Sequence, residues 1–435
     1  MNKYALASVF FLLLGAIVAN AQPPNISRWS GSTAIAPTQG YNQGDPLRLT
    51  WGFAAPGTQI NDAPFSGFAD APNNLQTRLD QIYGSQAVWQ PLFQSTFDRW
   101  SAISGLSFQF ESNDDGIPYV VNTNQAPLGV VGARADIRIG GKALDGNGGV
   151  LAYNFFPNVG DMVIDTNDAF YNNTAADSQA LRFVLAHELG HALGMPHVTS
   201  ADQNFLLEPA YQTGFDGPAY HDILVAQRGY GDALEKTNSG LGNDTAANAT
   251  NLGTLVFGST VALGNDARNL LVSSTATDFI SIDGDTDSDY FRFSVGSEGL
   301  LNVSLEALGF TYQVGPQGGS ESSFDTRTRS DLRFSLFDTD GITLLADVNA
   351  FGLGLTEMLT GFSLGSAGTY FLRVQGTSNA DTTQLDTQFY GLNIGFVTAV
   401  PEPSSMLLLS VVGSGGALRL IVRRRRAAKH TVNAD

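Results

Sequence analysis

Periodic apolar positions divide the first half of the chain into short strands and helices. Residues 73–104 repeat apolar side chains at the spacing of a helix with one buried face. Further helices are predicted around an apolar stripe from Leu181 to Ala192 and at Tyr220 to Gly229. Short strands are predicted at residues 46–52, 106–110, 135–139, 151–155 and 161–165. This mixture of strands and helices predicts an α+β fold.

The pattern changes after about Gly240, where Asp, Asn, Thr and Gly become frequent and apolar residues alternate with polar ones. Turn sequences such as Asp338–Gly341 separate the alternating stretches, which is typical of an antiparallel β-sandwich. We therefore expect an α+β domain over residues 22–239 and a β-sandwich over residues 240–399. The alternating strands are predicted at residues 291–295, 301–305, 332–336, 370–374 and 390–394.

The two ends of the chain carry apolar segments of another kind. Lys3, the apolar run from Ala5 to Val18 and the small residues Ala19-Asn20-Ala21 predict a secretory signal peptide over residues 1–21, the alternative being an uncleaved anchor. In the tail, residues 400–435, the apolar run from Met406 to Val422 is a marginal membrane span. The four arginines that follow it would stay on the cytoplasmic side. Export from the cytoplasm is expected.

Charge and composition exclude several classes of function. The 435 residues include 41 acidic and 23 basic side chains, a formal net charge of −18. Binding of nucleic acid needs basic surface, so nucleic acid is not an expected partner. The chain contains no cysteine, and therefore no disulfide stabilises it and no thiolate serves as nucleophile or metal ligand.

Three of the five histidines lie between His187 and His197. On a helix, His187 and His191 share a face and can present their imidazoles to one ion. Gly194 lies where the helix must stop for the chain to bring in His197. Three imidazoles leave one coordination position open for water, which is the arrangement of a catalytic zinc. Glu188 can hold that water. The alternative is a chance H-E-x-x-H on a helix without metal.

The complete string H-E-x-x-H-x-x-G-x-x-H matches the signature of the metzincin zinc peptidases. Residues 97–108, 135–139, 149–157 and 221–231 resemble, in order, segments of the matrixins, the matrix-metalloprotease branch. The resemblance spans roughly residues 28–232. It implies a zinc endopeptidase whose cleft runs across a twisted sheet, with Glu188 as general base.

This sequence departs from the matrixin pattern at two places. Leu207 stands where the family has the methionine of the turn beneath the zinc, and a swap of similar apolar volume usually costs little. Pro209 and Tyr211 resemble the wall of the family's primary specificity pocket. Tyr153 and Val163 replace histidines of the family's structural zinc site. One zinc per chain is therefore expected.

A loop rich in Gly and Asp is a candidate for calcium. Asp145 to Gly149 resembles the family's glycine-rich calcium loop, and Asp165 and Asp168 lie where its acidic partners are. Oxygen ligands favour calcium over zinc. A solvated acidic loop is the alternative here. The same two interpretations apply to a second acidic run, which consists of Asp283, Asp285, Asp287 and Asp289.

Two further resemblances lie in the second half of the chain. Residues 244–248, 284–291 and 367–373 resemble the bacterial pre-peptidase C-terminal domain. Val400-Pro-Glu-Pro403, the apolar run and the arginine cluster resemble the PEP-CTERM sorting signal. That signal implies an exosortase-type sorting enzyme as partner, transient membrane retention, and delivery to the outer surface or extracellular matrix. A plain C-terminal membrane anchor is the alternative.

These observations predict a secreted or surface-sorted zinc endopeptidase that acts on protein or peptide substrates. The rival hypothesis is an inactive surface adhesin or matrix protein that keeps a metzincin fold. Glu188 argues against the rival, because a purely structural zinc needs no general base beside it.

Overall fold

The computed structural model describes residues 5–9, 26–32, 42–120, 128–214, 217–378 and 386–398. Of the predicted signal peptide it describes only Ala5–Val9, and the tail 400–435 lies outside the described residues. Within the described part of the chain, no helix is long and apolar enough to cross a membrane. Export and sorting therefore stay predictions.

The described helices lie mainly in the first half of the chain. The predicted helix over residues 73–104 is two helices that meet near Gly84. The zinc-motif helix and the last predicted helix are present. The helices are α1 (Ala63–Ser66), α2 (Leu75–Tyr83), α3 (Gln86–Ala102), α4 (Ala175–Ala192), α5 (Tyr220–Tyr230) and α6 (Thr237–Gly240).

The strands of the first half form a six-stranded sheet and a small three-stranded sheet. The large sheet has the order β1-β8-β9-β7-β2-β5, and β8 runs antiparallel to β9 while the other neighbours are parallel. The small sheet has the order β4-β3-β6. These strands are β1 (Ala5–Val9), β2 (Leu47–Phe53), β3 (Gln59–Asn61), β4 (Ala71–Pro72), β5 (Leu106–Phe110), β6 (Tyr119–Val120), β7 (Ile137–Lys142), β8 (Val150–Phe155) and β9 (Met162–Asp165). A further short strand, β10 (Val198–Thr199), belongs to neither sheet.

Helices α3 and α4 pack together against this sheet. The ring of Phe97 on α3 stacks on Trp51 of β2, with centroids 4.4 Å apart. Trp100 donates its indole N–H to the carbonyl oxygen of Ala186 at 3.2 Å, which links α3 to α4. Phe97 is 2% exposed, and burial of such a side chain stabilises the fold by roughly 1.5–3 kcal/mol. The contact holds the metal-motif helix in place.

The second half consists of two five-stranded sheets with a shared apolar core. Their orders are β11-β14-β21-β18-β19 and β12-β22-β15-β20, with β13 paired to β22. β11 runs parallel to β14, so the arrangement is not purely antiparallel as the sequence predicted. The strands are β11 (Thr250–Leu255), β12 (Ser259–Leu263), β13 (Ser281–Ile282), β14 (Ser288–Val295), β15 (Gly299–Ala307), β16 (Thr311–Pro316), β17 (Ser322–Asp325), β18 (Ser330–Phe337), β19 (Leu344–Val348), β20 (Thr356–Leu364), β21 (Gly368–Ser378) and β22 (Gln388–Val397).

Burial along β14 follows the predicted alternation. Phe291, Phe293 and Val295 are buried, while the residues between them are half-buried. Strands with one buried face need this two-residue period, because successive side chains point to opposite sides of a sheet. The β-rich character of the C-terminal half is therefore confirmed.

Strands β16 and β17 leave this core and join the first half. They form a hairpin, and β16 pairs antiparallel with β10 beside the metal motif. Tyr312, Val314 and Phe324 of the hairpin are buried in the same apolar cluster as helices α3 to α5. The two halves of the chain thus share part of one hydrophobic core.

Candidate metal centre

A tight turn at Gly194 brings the third histidine back to helix α4. Gly194 has a φ of 100°, which side chains other than glycine rarely adopt, and its N–H donates to the carbonyl oxygen of His191 at 2.9 Å. A Cβ atom there would lie 1.7 Å from the carbonyl oxygen of Ser27. The predicted role of Gly194 as the end of the helix therefore agrees with the structure.

The three histidines converge on one point. The Nε2 atom of His197 lies 3.0 Å from that of His187 and 3.1 Å from that of His191. Nitrogens on three corners of a zinc tetrahedron, each about 2.0–2.1 Å from the ion, would be separated by roughly 3.4 Å. The three residues are 0–4% exposed. They can hold one metal ion, as the sequence predicted.

The other ring nitrogens all have oxygen partners. Nδ1 of His187 lies 2.6 Å from the carbonyl oxygen of Leu206, and Nδ1 of His191 lies 2.7 Å from that of Met195. Nδ1 of His197 lies 2.8 Å from Oε1 of Gln317. An oxygen acceptor requires a proton on Nδ1, which leaves Nε2 free as the ligand atom.

Burial keeps these imidazoles neutral. Desolvation, followed by the proximity of His197, lowers the pKa of His187 and His191 well below the usual histidine value. Desolvation also lowers the pKa of His197. A neutral imidazole is the form that binds a metal ion.

Glu188 is buried beside the histidines with no hydrogen-bond partner for either carboxylate oxygen. Burial raises its pKa well above the usual range. A buried carboxylate that lacks a partner in the protein is costly, and such groups occur where a ligand or water completes the site. Its role as a general base stays a prediction.

Leu207, the residue that the resemblance places in the turn beneath the zinc, lies buried against the metal-motif helix. Leu207 is 2% exposed, and a Cβ on Gly190 of the metal helix would lie 2.9 Å from its Cδ2 atom. Asp222 of α5 accepts hydrogen bonds from the backbone N–H groups of Leu206 and Leu207 at 2.9 and 3.3 Å. No sequence pattern singles out Asp222, whose role depends on how α5 packs.

Pro209 and Tyr211, the predicted pocket wall, follow this turn. Tyr211 packs edge-on against Phe170 and Phe183, with centroids 4.9 and 5.0 Å away. Phe183 in turn stacks on His187. A small apolar cavity beside Leu207 is lined by Met195, Pro196, Val198, Leu207, His221, Asp222 and Val225.

The three aspartates of the predicted calcium loop lie in neighbouring segments. Their carboxylates accept hydrogen bonds from backbone N–H groups. Asp145 accepts from the N–H of Val150, and Asp165 accepts from Leu144, Gly146 and Asn167. Asp168 accepts from Gly148 and Phe170. These bonds hold the loop together. Calcium at this place stays a prediction.

The two residues that the matrixin resemblance places at a structural zinc site lie in the core of the first half. Tyr153 and Val163 face each other across β8 and β9, and both are fully buried. The Tyr153 hydroxyl donates to the carboxylate of Asp62, which also pairs with Lys142 Nζ at 2.5 Å. This buried ion pair explains how a tyrosine is accommodated there.

A second acidic cluster lies in the second half of the chain. Oxygen atoms of Glu235, Asp287 and Asp289 lie within 4.8 Å of one another. Asp285, from the same acidic run, is exposed and accepts a hydrogen bond from the hydroxyl of Ser378. Glu235 was not predicted, because 52 residues separate it from Asp287 in sequence. Calcium and a cation-free turn both remain interpretations of this run.

Comparison with known families agrees with this geometry. Residues 74–231 match the family model described as Matrixin. The predicted matrixin resemblance is therefore confirmed over this region, which contains all three histidines and Glu188.

Individual relatives match over similar lengths. The hatching enzyme of Paracentrotus lividus is 31% identical over 27% of this chain, and matrix metalloproteinase-26 of Homo sapiens is 27% identical over 34% of it. The aligned segments span 18% and 45% of those two proteins.

A solved structure also aligns with part of the chain. This solved structure is the pre-peptidase C-terminal domain of a collagenase from Bacillus anthracis, which is 16% identical to the aligned part of this chain. The alignment covers 34% of this chain and 93% of the collagenase domain. The TM-score is 0.20.

Proposed function

We propose that this chain is a zinc-dependent endopeptidase that hydrolyses peptide bonds of extracellular proteins. The convergence of three neutral imidazole nitrogens beside the unpartnered Glu188 carboxylate carries the proposal. The match of residues 74–231 to the matrixin family supports it.

Each side chain has a distinct task in this proposal. His187, His191 and His197 would hold zinc through Nε2, and bound zinc supplies a Lewis acid that lowers the pKa of water towards neutrality. Glu188 takes the proton of the attacking water and returns it to the leaving amine.

The experiment is digestion of casein or gelatin by the purified protein. Activity should disappear with a zinc chelator and return when zinc is added back, because the bound metal supplies the Lewis acid that activates the water. Undiminished digestion in chelator would rule out the proposal. A protein that binds zinc but digests neither substrate would favour the inactive adhesin or matrix protein.

We further propose that the chain is exported and sorted to the outer surface. The apolar and charged patterns of residues 1–21 and 400–435 support this. Removal of residues 400–435 should release an active soluble enzyme, because the histidines and Glu188 precede residue 232. Fractionation of host cells tests the proposal, and a truncated protein that stays in the membrane would overturn it.

Calcium bound by Asp145, Asp165 and Asp168 would be structural in this enzyme. The oxygen-rich loop supports it, although backbone amides already occupy these carboxylates. Calcium should raise the melting temperature of the wild type and not that of Asp165→Ala. A wild type with the same melting temperature with and without calcium would favour the interpretation as a solvated acidic loop.

A further inference from the structure

The hairpin formed by β16 and β17 reaches the metal centre from the second half of the chain. Val198 and Thr199, which follow the third histidine directly, pair with Pro316 and Gly315 of β16. The next residue of the hairpin, Gln317, therefore lies beside His197. A segment about 120 residues away in sequence becomes part of the metal site.

Gln317 contacts His197 twice. Its backbone N–H donates to the carbonyl oxygen of His197 at 3.4 Å. Its side-chain Oε1 accepts from Nδ1 of the same histidine at 2.8 Å. The first contact fixes the backbone of the ligand, and the second fixes the orientation and the tautomer of its ring.

The three histidines differ in what holds them. Nδ1 of His187 and of His191 bonds to backbone carbonyls within 19 and 4 residues, in the same half of the chain. Only His197 relies on a side chain, and that side chain belongs to the second half. The third ligand position thus depends on a correctly docked hairpin.

The docking itself rests on contacts away from the metal. The hydroxyl of Ser200 donates to the carbonyl oxygen of Gln313 at 2.6 Å, and the N–H of Ala201 donates to Glu321 at 2.8 Å. The hydroxyl of Tyr312 lies 3.0 Å from Nδ1 of His221 on α5. Tyr312 is 1% exposed, so this anchor is buried. These bonds hold the hairpin in place independently of Gln317.

We propose that Gln317 is a positioning residue for the third metal ligand, so that the C-terminal half of the chain helps to set the affinity of the catalytic zinc. The inference rests on the proposed zinc site. An acceptor on the outer nitrogen of a ligand histidine fixes the ring and raises its basicity, and its loss typically costs about 10–100-fold in metal affinity. Gln317 is exposed, so water can partly replace its side-chain oxygen. A loss of metal affinity at the lower end of this range, about tenfold, is therefore expected.

The experiment measures zinc affinity of the full chain by competition with a chromophoric chelator. Gln317→Leu removes the acceptor and should weaken zinc binding about tenfold. Gln317→Glu keeps an acceptor oxygen and should retain the wild-type affinity or exceed it. Gln313→Leu is the control on the same hairpin, because the bonds of Gln313 to Ser200 and Asp202 come from its backbone.

A second readout separates positioning from general destabilisation. In cobalt-substituted protein, Gln317→Leu should change the visible absorption of the metal, whereas Gln317→Glu and Gln313→Leu should leave a tetrahedral spectrum. Equal zinc affinity and equal spectra for the wild type and Gln317→Leu would overturn the proposal. A loss of zinc affinity in Gln317→Leu that occurs equally in Gln317→Glu would also overturn the proposal. A wild type that binds no zinc would instead refute the proposed function.

Discussion

At the residue scale, the turn at Gly194 depends on two separate constraints. Its φ is in the left-handed region, and the space for a Cβ is occupied by the backbone of Ser27. The first constraint alone costs about 1–2 kcal/mol for alanine, and the second forces the backbone to move. Both act only three residues before His197.

We predict that Gly194→Ala lowers the free energy of unfolding by more than about 2 kcal/mol and weakens zinc binding. Gly57→Ala is the control, because Gly57 has a φ of 85° and no atom within 4 Å of its Cβ position. It should lose only about 1–2 kcal/mol, the cost of the left-handed φ alone, and bind zinc normally. Urea unfolding measures the free energy of unfolding of both variants. Equal losses of this free energy in the two variants would contradict the role of the Ser27 contact.

The sequence predicted the metal ligands because their spacing is local. One helix and its end place His187, His191 and Gly194. Helical periodicity and the preference of glycine for the helix end are therefore enough to predict them. Gln317 and Asp222 act through long-range packing, which leaves no periodic trace near the motif. A weak signal existed for the hairpin, since Phe310, Tyr312 and Val314 alternate ahead of Pro316 and two glycines.

At the scale of elements, the turn beneath the metal is held by helix α5. The carboxylate of Asp222 accepts hydrogen bonds from the backbone N–H groups of Leu206, Leu207 and Ala219. Burial raises the pKa of Asp222 to about 6. The carbonyl of Leu206 in turn accepts from His187. The helix therefore orients a metal ligand through one carboxylate and one turn.

We predict that Asp222→Asn destabilises the protein by about 1–3 kcal/mol, because its amide group would face backbone donors and leave one of them unpaired. Asp340→Asn is the control. Asp340 also accepts two backbone N–H groups but is exposed, so water can replace it. Thermal melting compares the variants. A loss in Asp340→Asn as large as in Asp222→Asn would contradict this reasoning.

Element boundaries illustrate what periodicity can predict. Strand β5 begins and ends where the alternation does, at Leu106–Phe110. The predicted helix over residues 73–104 is interrupted near Gly84, which periodicity alone did not reveal. β11 pairs in parallel with β14, and strand direction depends on the path of the connecting chain rather than on alternation.

At the scale of the whole molecule, buried acids make stability depend on pH. Desolvation and the neighbouring carboxylates raise the pKa of Glu235 well above its usual range, and desolvation raises the pKa of Asp287. The folded protein then binds more protons than the unfolded chain above about pH 4. Stability contributed by these groups is present at low pH and is lost as the pH rises.

We predict that Glu235→Gln is more stable than the wild type at pH 7, and that its advantage grows between pH 5 and pH 7. The gain should be up to about 1.4 kcal/mol per pH unit, since glutamine cannot titrate. Urea unfolding of both proteins in the same buffer without added divalent cations measures the difference. A difference that stays constant over this range would contradict the assignment.

The central claim is a zinc centre with Glu188 as its base, and Glu188→Gln tests it most directly. Glutamine keeps the size of the side chain and leaves the three histidines unchanged, so the variant should bind one zinc per chain like the wild type. Digestion of casein should fall by about 10²–10⁴-fold, because the carboxylate that moves the proton is gone. Zinc is measured by elemental analysis on the same sample. A variant that binds one zinc and digests casein as fast as the wild type would contradict the account.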